Sequence, residues 1–354
     1  MPLFMDLHKA SDYEVKPTVD EIKKNHIADL AVQHKYGVRF LQYWINEEAG
    51  LVFCMMEAPD KESCAAVHRE AHGAMPCNVI ELSGGNYNAY LAEGVTTNKF
   101  DIVEKPDGTM DPGHRILVAL DVLSLKSSSQ YHALIHTLAT QFGGTPVNRP
   151  DERSILLFTN VHSASAFAMK LIQDDEPRDQ DVEIRIGITL GDPVTMNAAF
   201  FGDAIHHACR LCDIAANKQV VVSHLVKYVP QATETNESLN AAFRMLDPAD
   251  ERFMNDLMDA IQPLLVEEHC SVEALSKKLG MSKSRLYRNI QHLTRSSGND
   301  FLHELRMQKA FRLIQLKYGN VAQISLETGY NNPSYFSKTF RKRFGHSPFS
   351  ALKT

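Results

Sequence analysis

His68 and His72 are four residues apart, so a helix through them projects both imidazoles from one face, a spacing that suits two nitrogens on one metal ion. His8 ends an alternating apolar run at residues 3–8, and Cys54 lies in another, Leu51–Glu57. His26 sits in an amphipathic stretch at residues 19–35. His8, His26, His68 and His72 are therefore candidate ligands, with Cys54 as an outside addition. Imidazole serves nickel, copper and zinc alike, so the donor type selects no ion. A pair of solvated helix histidines has the same spacing, and that alternative stays open.

The elements that must position these groups follow from periodicity. Residues 3–8 predict a strand, and Thr18 is placed to cap a helix over 19–35 that Gly37 ends. Residues 38–44 and Leu51–Glu57 predict a hairpin around Glu47-Glu48-Ala49-Gly50. A helix over 61–72 and a strand over 78–82 complete a ferredoxin-like βαββαβ order. Met5-Asp6-Leu7-His8, Gln33-His34-Lys35-Tyr36-Gly37, Glu57-Ala58-Pro59-Asp60 and Val67-His68-Arg69-Glu70-Ala71-His72-Gly73 resemble the small bacterial nickel-binding family of that fold. The resemblance covers about residues 1–95 and implies metal or small-ligand binding, with nickel as the named ion.

A second alternating block spans residues 114–229. Strands are expected at 115–122, Ser154–Phe158, 182–190 and 219–223, with helices at 129–142, 164–173 and 202–216. Leu120-Asp121-Val122, Phe142-Gly143-Gly144, the run Val182 to Ile188 and the run Gly202 to Leu211 resemble the class III nucleotide cyclase domain. That resemblance implies two metal ions held by two carboxylates, which neutralise a triphosphate and an attacking oxygen. Asp121 matches the first carboxylate, and Glu152 falls where Asp between glycines is expected. Arg210 matches the transition-state arginine, but His206 replaces its Asn partner. No Lys stands near Asn148, where the base is read, and Phe200 occupies a position where an acidic residue is expected. The degenerate set Asp121, Glu152, His206 and Arg210 implies a dimerising or ligand-sensing relative rather than an enzyme, since the constellation and not the fold carries catalysis. An active cyclase converting ATP or GTP, with a DNA-binding tail, is the alternative. Cys209 and Cys212 form a C-x-x-C that could bind zinc or run redox chemistry, although two small core residues in a helix have the same spacing.

The last third carries one pattern twice. Val272-Glu273-Ala274-Leu275, Leu279-Gly280-Met281-Ser282 and Lys283 to Ile290 form one copy; Val321 to Ser325, Gly329 to Ser334 and Tyr335 to Phe340 form the other. Each has a short helix, a turn glycine and a basic second helix, for which Ser282 or Ser334 is a candidate cap. Two such units can set recognition helices in successive major grooves of one duplex. Residues 270–354 hold 15 Lys+Arg against 4 Asp+Glu, so this tail is +11 and residues 1–269 are −17. A basic module on an acidic body is the footprint of phosphate binding. With Arg306 to Ala310 and the ending Tyr335 to Pro348, the tail resembles the AraC/XylS transcription regulators over its whole length. Leu286, Ile290, Phe336, Phe340 and Phe344 have the spacing of a buried face. Lys283, Ser284, Arg285, Arg288, Asn332, Ser334, Lys338 and Arg341 are candidate DNA contacts, several of them to phosphate alone.

At 354 residues, two or three domains are expected. Cys54, Cys64, Cys77, Cys209, Cys212 and Cys270 are scattered rather than arranged as a disulfide framework, which predicts a reducing, cytoplasmic setting, and no secretory leader or membrane span is expected. Polar stretches at 96–113 and 230–248 are expected linkers. The expected architecture is α+β: two ferredoxin-like/cyclase-like βαββαβ modules (1–95 and 114–229) followed by an all-α double helix-turn-helix domain (248–354). The expected function is a homodimeric one-component transcription regulator. Its partners are operator DNA and a metal ion (nickel or another transition metal) or small effector; a metal buffer is a further alternative.

Overall fold

The computed structural model describes residues 1–10, 17–82, 90–91, 96–123, 128–147, 153–175, 182–196, 200–226, 242–267 and 271–353. The first unit runs β1 (Leu3–Lys9), α1 (Val19–Val32), β2 (Arg39–Asn46), β3 (Leu51–Glu57), α2 (Lys61–Ala71) and β4 (Asn78–Glu81). Its antiparallel sheet has the order β2-β3-β1-β4, as the βαββαβ pattern requires. Thr18 caps α1 in a reciprocal capping box with Glu21, a 3-10 turn extends the helix over Gln33–Tyr36, and Gly37 at φ 64° ends it. Alternation along β1 sends Phe4, Asp6 and His8 toward the two helices and Met5 and Leu7 to the opposite face.

Residues 96–113 are not a linker. They form a hairpin, β5 (Thr96–Thr97) with β6 (Val103–Glu104), tied to β2 by the Tyr43 N–H donating to the Asp101 carbonyl at 3.0 Å. Asn98, Asp107 and Gly108 carry its turns, and turn-rich composition was the signal misread as a linker. Gly113, at φ 82°, passes so close to the first sheet that a Cβ there would lie 2.9 Å from the Phe53 ring.

The second unit comprises β7 (Arg115–Leu123), α3 (Ser128–Gln141), β8 (Thr145–Val147), β9 (Ser154–Phe158), α4 (Val161–Asp175), β10 (Glu183–Gly191), α5 (Gly202–Ile214), β11 (Gln219–Val222) and β12 (Phe243–Met245). Sheet order is β12-β11-β10-β7-β9-β8, so the four strands β8-β9-β7-β10 repeat the β2-β3-β1-β4 arrangement of the first unit, and β11 and β12 extend it in parallel beyond β10. Strands β8 and β12 were not expected from periodicity; each has only three residues, too few to show alternation. Most of the second expected linker, 230–248, falls outside the described residues, and its described end supplies β12. Helices α3 and α4 cover one face of this sheet. Helix α5 covers the other, crossing β10 so closely that a Cβ on Gly187 would lie 2.2 Å from the Ala208 carbonyl.

The two sheets share a core. Met5, Trp44, Phe53 and Met55 of the first pack with Leu117, Ala119, Ile155 and Leu157 of the second and with Ile205 and Ala208 of α5. Trp44 and Phe53 are fully buried there, each worth about 1.5–3 kcal/mol of transfer free energy. The tail contains α6 (Pro248–Ile261), α7 (Val272–Lys278), α8 (Lys283–Thr294), α9 (Gly298–Gln315), α10 (Val321–Glu327), α11 (Pro333–Phe344) and α12 (Pro348–Ala351). Helix α6 joins Leu211 and Ile214 of α5 to Leu275, Leu286 and Ile290 of the first helix-turn-helix. Leu123 of β7 enters the core of the second, beside Phe311, Phe336 and Phe340. Among the described residues no helix is long and apolar enough to cross a membrane.

Candidate metal cavity and nucleic-acid interface

Helix α2 carries His68 and His72 over the first sheet, and α1 brings Asp29 to meet them. Asp29 Oδ1 lies 3.1 Å from His68 Nδ1 and 3.1 Å from His72 Nε2, and the two imidazole nitrogens are 3.4 Å apart. The other ring nitrogen of His68, Nε2, lies 2.8 Å from Asp6 Oδ2 on β1. His8 Nε2 lies 3.4 Å from Asp6 Oδ1. Two clusters result, Asp29/His68/His72 and Asp6/His8/His68, each with one donor atom per residue within 4.8 Å of the others. His26 is drawn elsewhere: its Nε2 lies 3.2 Å from Asp101 of the β5–β6 hairpin, and its ring lies against Tyr43.

Burial makes these groups consequential. Asp6, Asp29, His8, His26 and His68 are all buried; all but Asp6 line, with His72 and Cys54, a cavity of about 110 Å³, which Asp6 adjoins through His8 and His68. For His68, burial disfavours the charged ring, but Asp6 and Asp29 outweigh it and raise its pKa well above the ordinary value. Burial likewise opposes ionisation of Asp6, and the His8 and His68 rings reverse that, holding its carboxylate ionised. His26 is pulled down by burial, which its Asp101 contact does not offset. Burial, with Asp6 and Asp29 nearby, pushes the Cys54 thiol well up; the residue reaches the cluster by donating its backbone N–H to Asp6 Oδ1 at 3.1 Å.

Several cavity atoms have no hydrogen-bond partner: both nitrogens of His8, Nδ1 of His26, Oδ1 of Asp29 and the Tyr43 hydroxyl. Orphaned buried polar groups are costly, about 1–3 kcal/mol each, unless something fills the site. Bonds of about 2.0–2.2 Å to one ion put tetrahedral ligand atoms about 3.3 Å apart, which the separations in the Asp29 cluster match. The residues fit a divalent transition metal. The four expected histidines do share one cavity, but they do not converge on one point. Sequence reasoning missed Asp6 and Asp29; the available signal was Asp6 two residues before His8 and Asp29 three after His26, each on the same face as the histidine.

The second unit's expected site is differently used. Asp121 is buried, with Oδ1 accepting from Arg153 Nε at 3.1 Å and Oδ2 lying 3.0 Å from the Arg153 and 3.2 Å from the Arg312 guanidinium. Burial would raise its pKa, but these arginines lower it. Arg210 points to α6, where it donates to Asn255 at 3.0 Å and pairs with Asp259. His206 is exposed, and Glu152 and Asn148 lie outside the described residues. The described members therefore form no joint site: Asp121 is held by the chain's own cations. Cys212 is buried and donates to the Arg185 carbonyl at 3.2 Å, and burial raises the thiol pKa of both Cys209 and Cys212, as small core residues would show.

In the tail, positive φ at Gly280 (61°) and Gly329 (75°) turns each pair of helices. Ser282 caps α8 by accepting from the Arg285 N–H. The α11 cap is Asn332, not Ser334; its side chain accepts from the N–H groups of Ser334 and Tyr335, both at 3.0 Å. Lys283, Ser284, Arg285, Arg288, Asn332, Ser334, Lys338 and Arg341 are all exposed, while Leu286, Ile290, Phe336 and Phe340 are buried and Phe344 is partly so. Lys283 pairs with Glu273. Tyr287 and Tyr335, exposed on the same helices, are further contact candidates that an apolar-versus-charged reading passes over.

Residues 4–82 match the family of the nickel responsive protein SCO4226-like, and residues 275–353 match a helix-turn-helix domain. The transcriptional activator RhaS of Salmonella arizonae is 30% identical over 95 residues, covering 27% of this chain and 34% of that protein. The crystal structure of SCO4226 from Streptomyces coelicolor A3(2) is 32% identical, covering 23% of this chain and 95% of that one, with a TM-score of 0.21. Trypanosoma brucei adenylate cyclase is 17% identical, covering 32% and 74%, with a TM-score of 0.26. The chain spans between 7% and 34% of the length of the curated relatives first matched, a histidine kinase and several transcription regulators.

Proposed function

We propose that this chain, an SCO4226-like segment and an AraC-type double helix-turn-helix in one polypeptide, is a cytoplasmic, metal-responsive transcription regulator. The observation that carries the metal half is the largely buried Asp29/His68/His72 triangle, opening on a cavity where both nitrogens of His8, Nδ1 of His26 and the Tyr43 hydroxyl lack hydrogen-bond partners. His68 and His72 would supply imidazole nitrogens and Asp29 a carboxylate oxygen; a nickel, copper or zinc ion would supply the positive charge that holds them together. His8 and Asp6 extend the donor set, His26 and Tyr43 close the cavity, and the 1–95 and 114–229 modules act as one sensor body through their common core.

The DNA half rests on the exposed polar faces of α8 and α11 and on the surplus of 11 positive charges in the tail. The side chains named above would read base edges or hold phosphates in two successive major grooves. We assign no catalysis to the middle module: Asp121 bound by Arg153 and Arg312 has no free oxygen to offer a metal–nucleotide complex. Its role is to carry the tail and to pair two chains in a homodimer, with metal shifting the population of tail arrangements.

The test is DNA binding by the metal-stripped full chain to its own promoter region, with nickel, copper, zinc or no metal. A several-fold change in affinity with one metal, lost in His68→Ala and His72→Ala, is the expected result. Equal affinity under all conditions sinks the metal-responsive reading and leaves the DNA-binding one standing.

A further inference from the structure

Resting on the metal reading above, we infer that the cavity takes two divalent ions, not one, and that His68 bridges them through its two ring nitrogens. The two donor clusters meet only at this residue. Nδ1 faces Asp29 and His72, and Nε2 faces Asp6 and His8. One imidazole cannot turn both nitrogens to a single ion, because their lone pairs diverge across the ring. A single-ion site would therefore leave one cluster unused, and its members would need other partners.

They have none. His8 is 6% exposed, and neither of its nitrogens has a hydrogen-bond partner. An imidazole this well buried normally satisfies at least one nitrogen, so both orphaned atoms beside an ionised carboxylate point to a missing cation. The second cluster presents the same sign: Asp29 Oδ1 sits 3.1 Å from two imidazole nitrogens without a well-angled hydrogen bond to either. Each cluster provides one carboxylate, one private histidine and one nitrogen of His68. Two carboxylates and one deprotonated bridge nearly balance the charge of two M²⁺ ions. On loading, His68 forms one metal–nitrogen bond at each nitrogen, and its ring protons pass to the buffer. The remaining positions on both ions face the cavity, which at about 110 Å³ has room for water on each.

The arrangement predicts how the ions depend on each other. His8 and His72 each serve one ion, whereas His68 serves both. The experiment is metal uptake by the full chain, stripped and then equilibrated with nickel, with bound metal counted after desalting. Two ions per chain are expected in the wild type, one each in His8→Ala and His72→Ala, and none retained in His68→Ala. The conservative variants His8→Asn and His72→Asn guard against misfolding, with circular dichroism as the check on fold. Copper(II) gives an independent readout. An imidazolate bridge couples the two unpaired spins, so the electron paramagnetic resonance signal should rise with the first equivalent and fall with the second. In His8→Asn only the rise should remain. One ion per chain in the wild type, or loss of the same ion in both His8→Asn and His72→Asn, overturns the two-ion site while leaving the metal reading intact. No uptake at all overturns both.

Discussion

The two βαββαβ units of this chain place a buried aspartate on the same strand and neutralise it in opposite ways. Asp6 lies on β1, between β3 and β4; Asp121 lies on β7, between β9 and β10. Asp6 faces the helix layer of its unit and meets His8 and His68. Asp121 has the parity of Leu117 and Ala119, faces the side covered by α5 rather than α3 and α4, and meets Arg153 and Arg312. An imidazole can release its proton and take a metal, whereas a guanidinium is always charged and has no lone pair to give. The equivalent strand thus turns its aspartate to imidazoles that can exchange a proton for a metal in the first unit and, on the opposite face, to a permanent joint in the second, where Arg312 of α9 fastens the tail to the sheet.

The sharpest way to break this comparison is to remove one partner from each side. Arg153→Ala leaves Asp121 buried with too little compensation and should cost about 3–5 kcal/mol, read as a lower midpoint of urea unfolding. His8→Ala should cost less, about 1–2 kcal/mol, since Asp6 keeps His68 and the Cys54 N–H. Equal costs would show that the two carboxylates are held alike.

Metal addition separates the units next. Nickel at a hundredfold excess over its dissociation constant should stabilise the wild type by about 2.7 kcal/mol and leave His68→Ala unchanged. Stabilisation that survives His68→Ala would move the site out of the first unit.

On the DNA side, Arg288→Ala or Arg341→Ala should weaken operator binding by about 1–3 kcal/mol if the side chain reads a base. If it touches phosphate only, the loss should be uniform across sequences and the salt dependence should shrink by about one charge. Fluorescence anisotropy at several salt concentrations distinguishes these outcomes.

The smallest effect concerns the other joint between sheet and tail. Arg343 of α11 sits between Glu183 of β10 and Glu304 of α9, at 2.7 Å from each, and Glu304 also meets Arg185. Burial pushes Glu304 up, but Arg343 and Arg185 more than reverse this, to about 2 against an ordinary 4.5. Because the folded value is depressed, the contribution is present above about pH 4.5 and lost as pH falls toward 2. Limited proteolysis across that window should show the tail loosening in the wild type, and Glu304→Gln should flatten the change. A tail that stays protected at pH 2 would remove the ion pairs from the joint.

Much of this was legible in the residues. The strand and helix order of the first unit, and of the second apart from β8 and β12, followed from periods of 2 and 3.6, and the doubled helix-turn-helix followed from its glycines, the Ser282 cap and its basic second helices. The i,i+4 spacing of His68 and His72 marked one wall of the cavity. Asp6 and Asp29 share a face with His8 and His26 in the sequence pattern, but that shared face does not by itself say whether the carboxylate turns inward or is solvated. The hairpin at 96–113 was missed because its two-residue strands carry no alternation.

Short-range chemistry is what the sequence by itself determined: which segments are helix or strand, which faces are apolar, where the positive charge collects, and which residue types could bind metal or DNA. The tertiary structure alone decided the pairings. It brought Asp29 of α1 to His72 of α2, spent the carboxylate of Asp121 on arginines 32 and 191 residues away, and merged two sheets into one core. The reason is that propensity acts over one or two turns of chain, while a ligand cluster or ion pair depends on where folded surfaces meet.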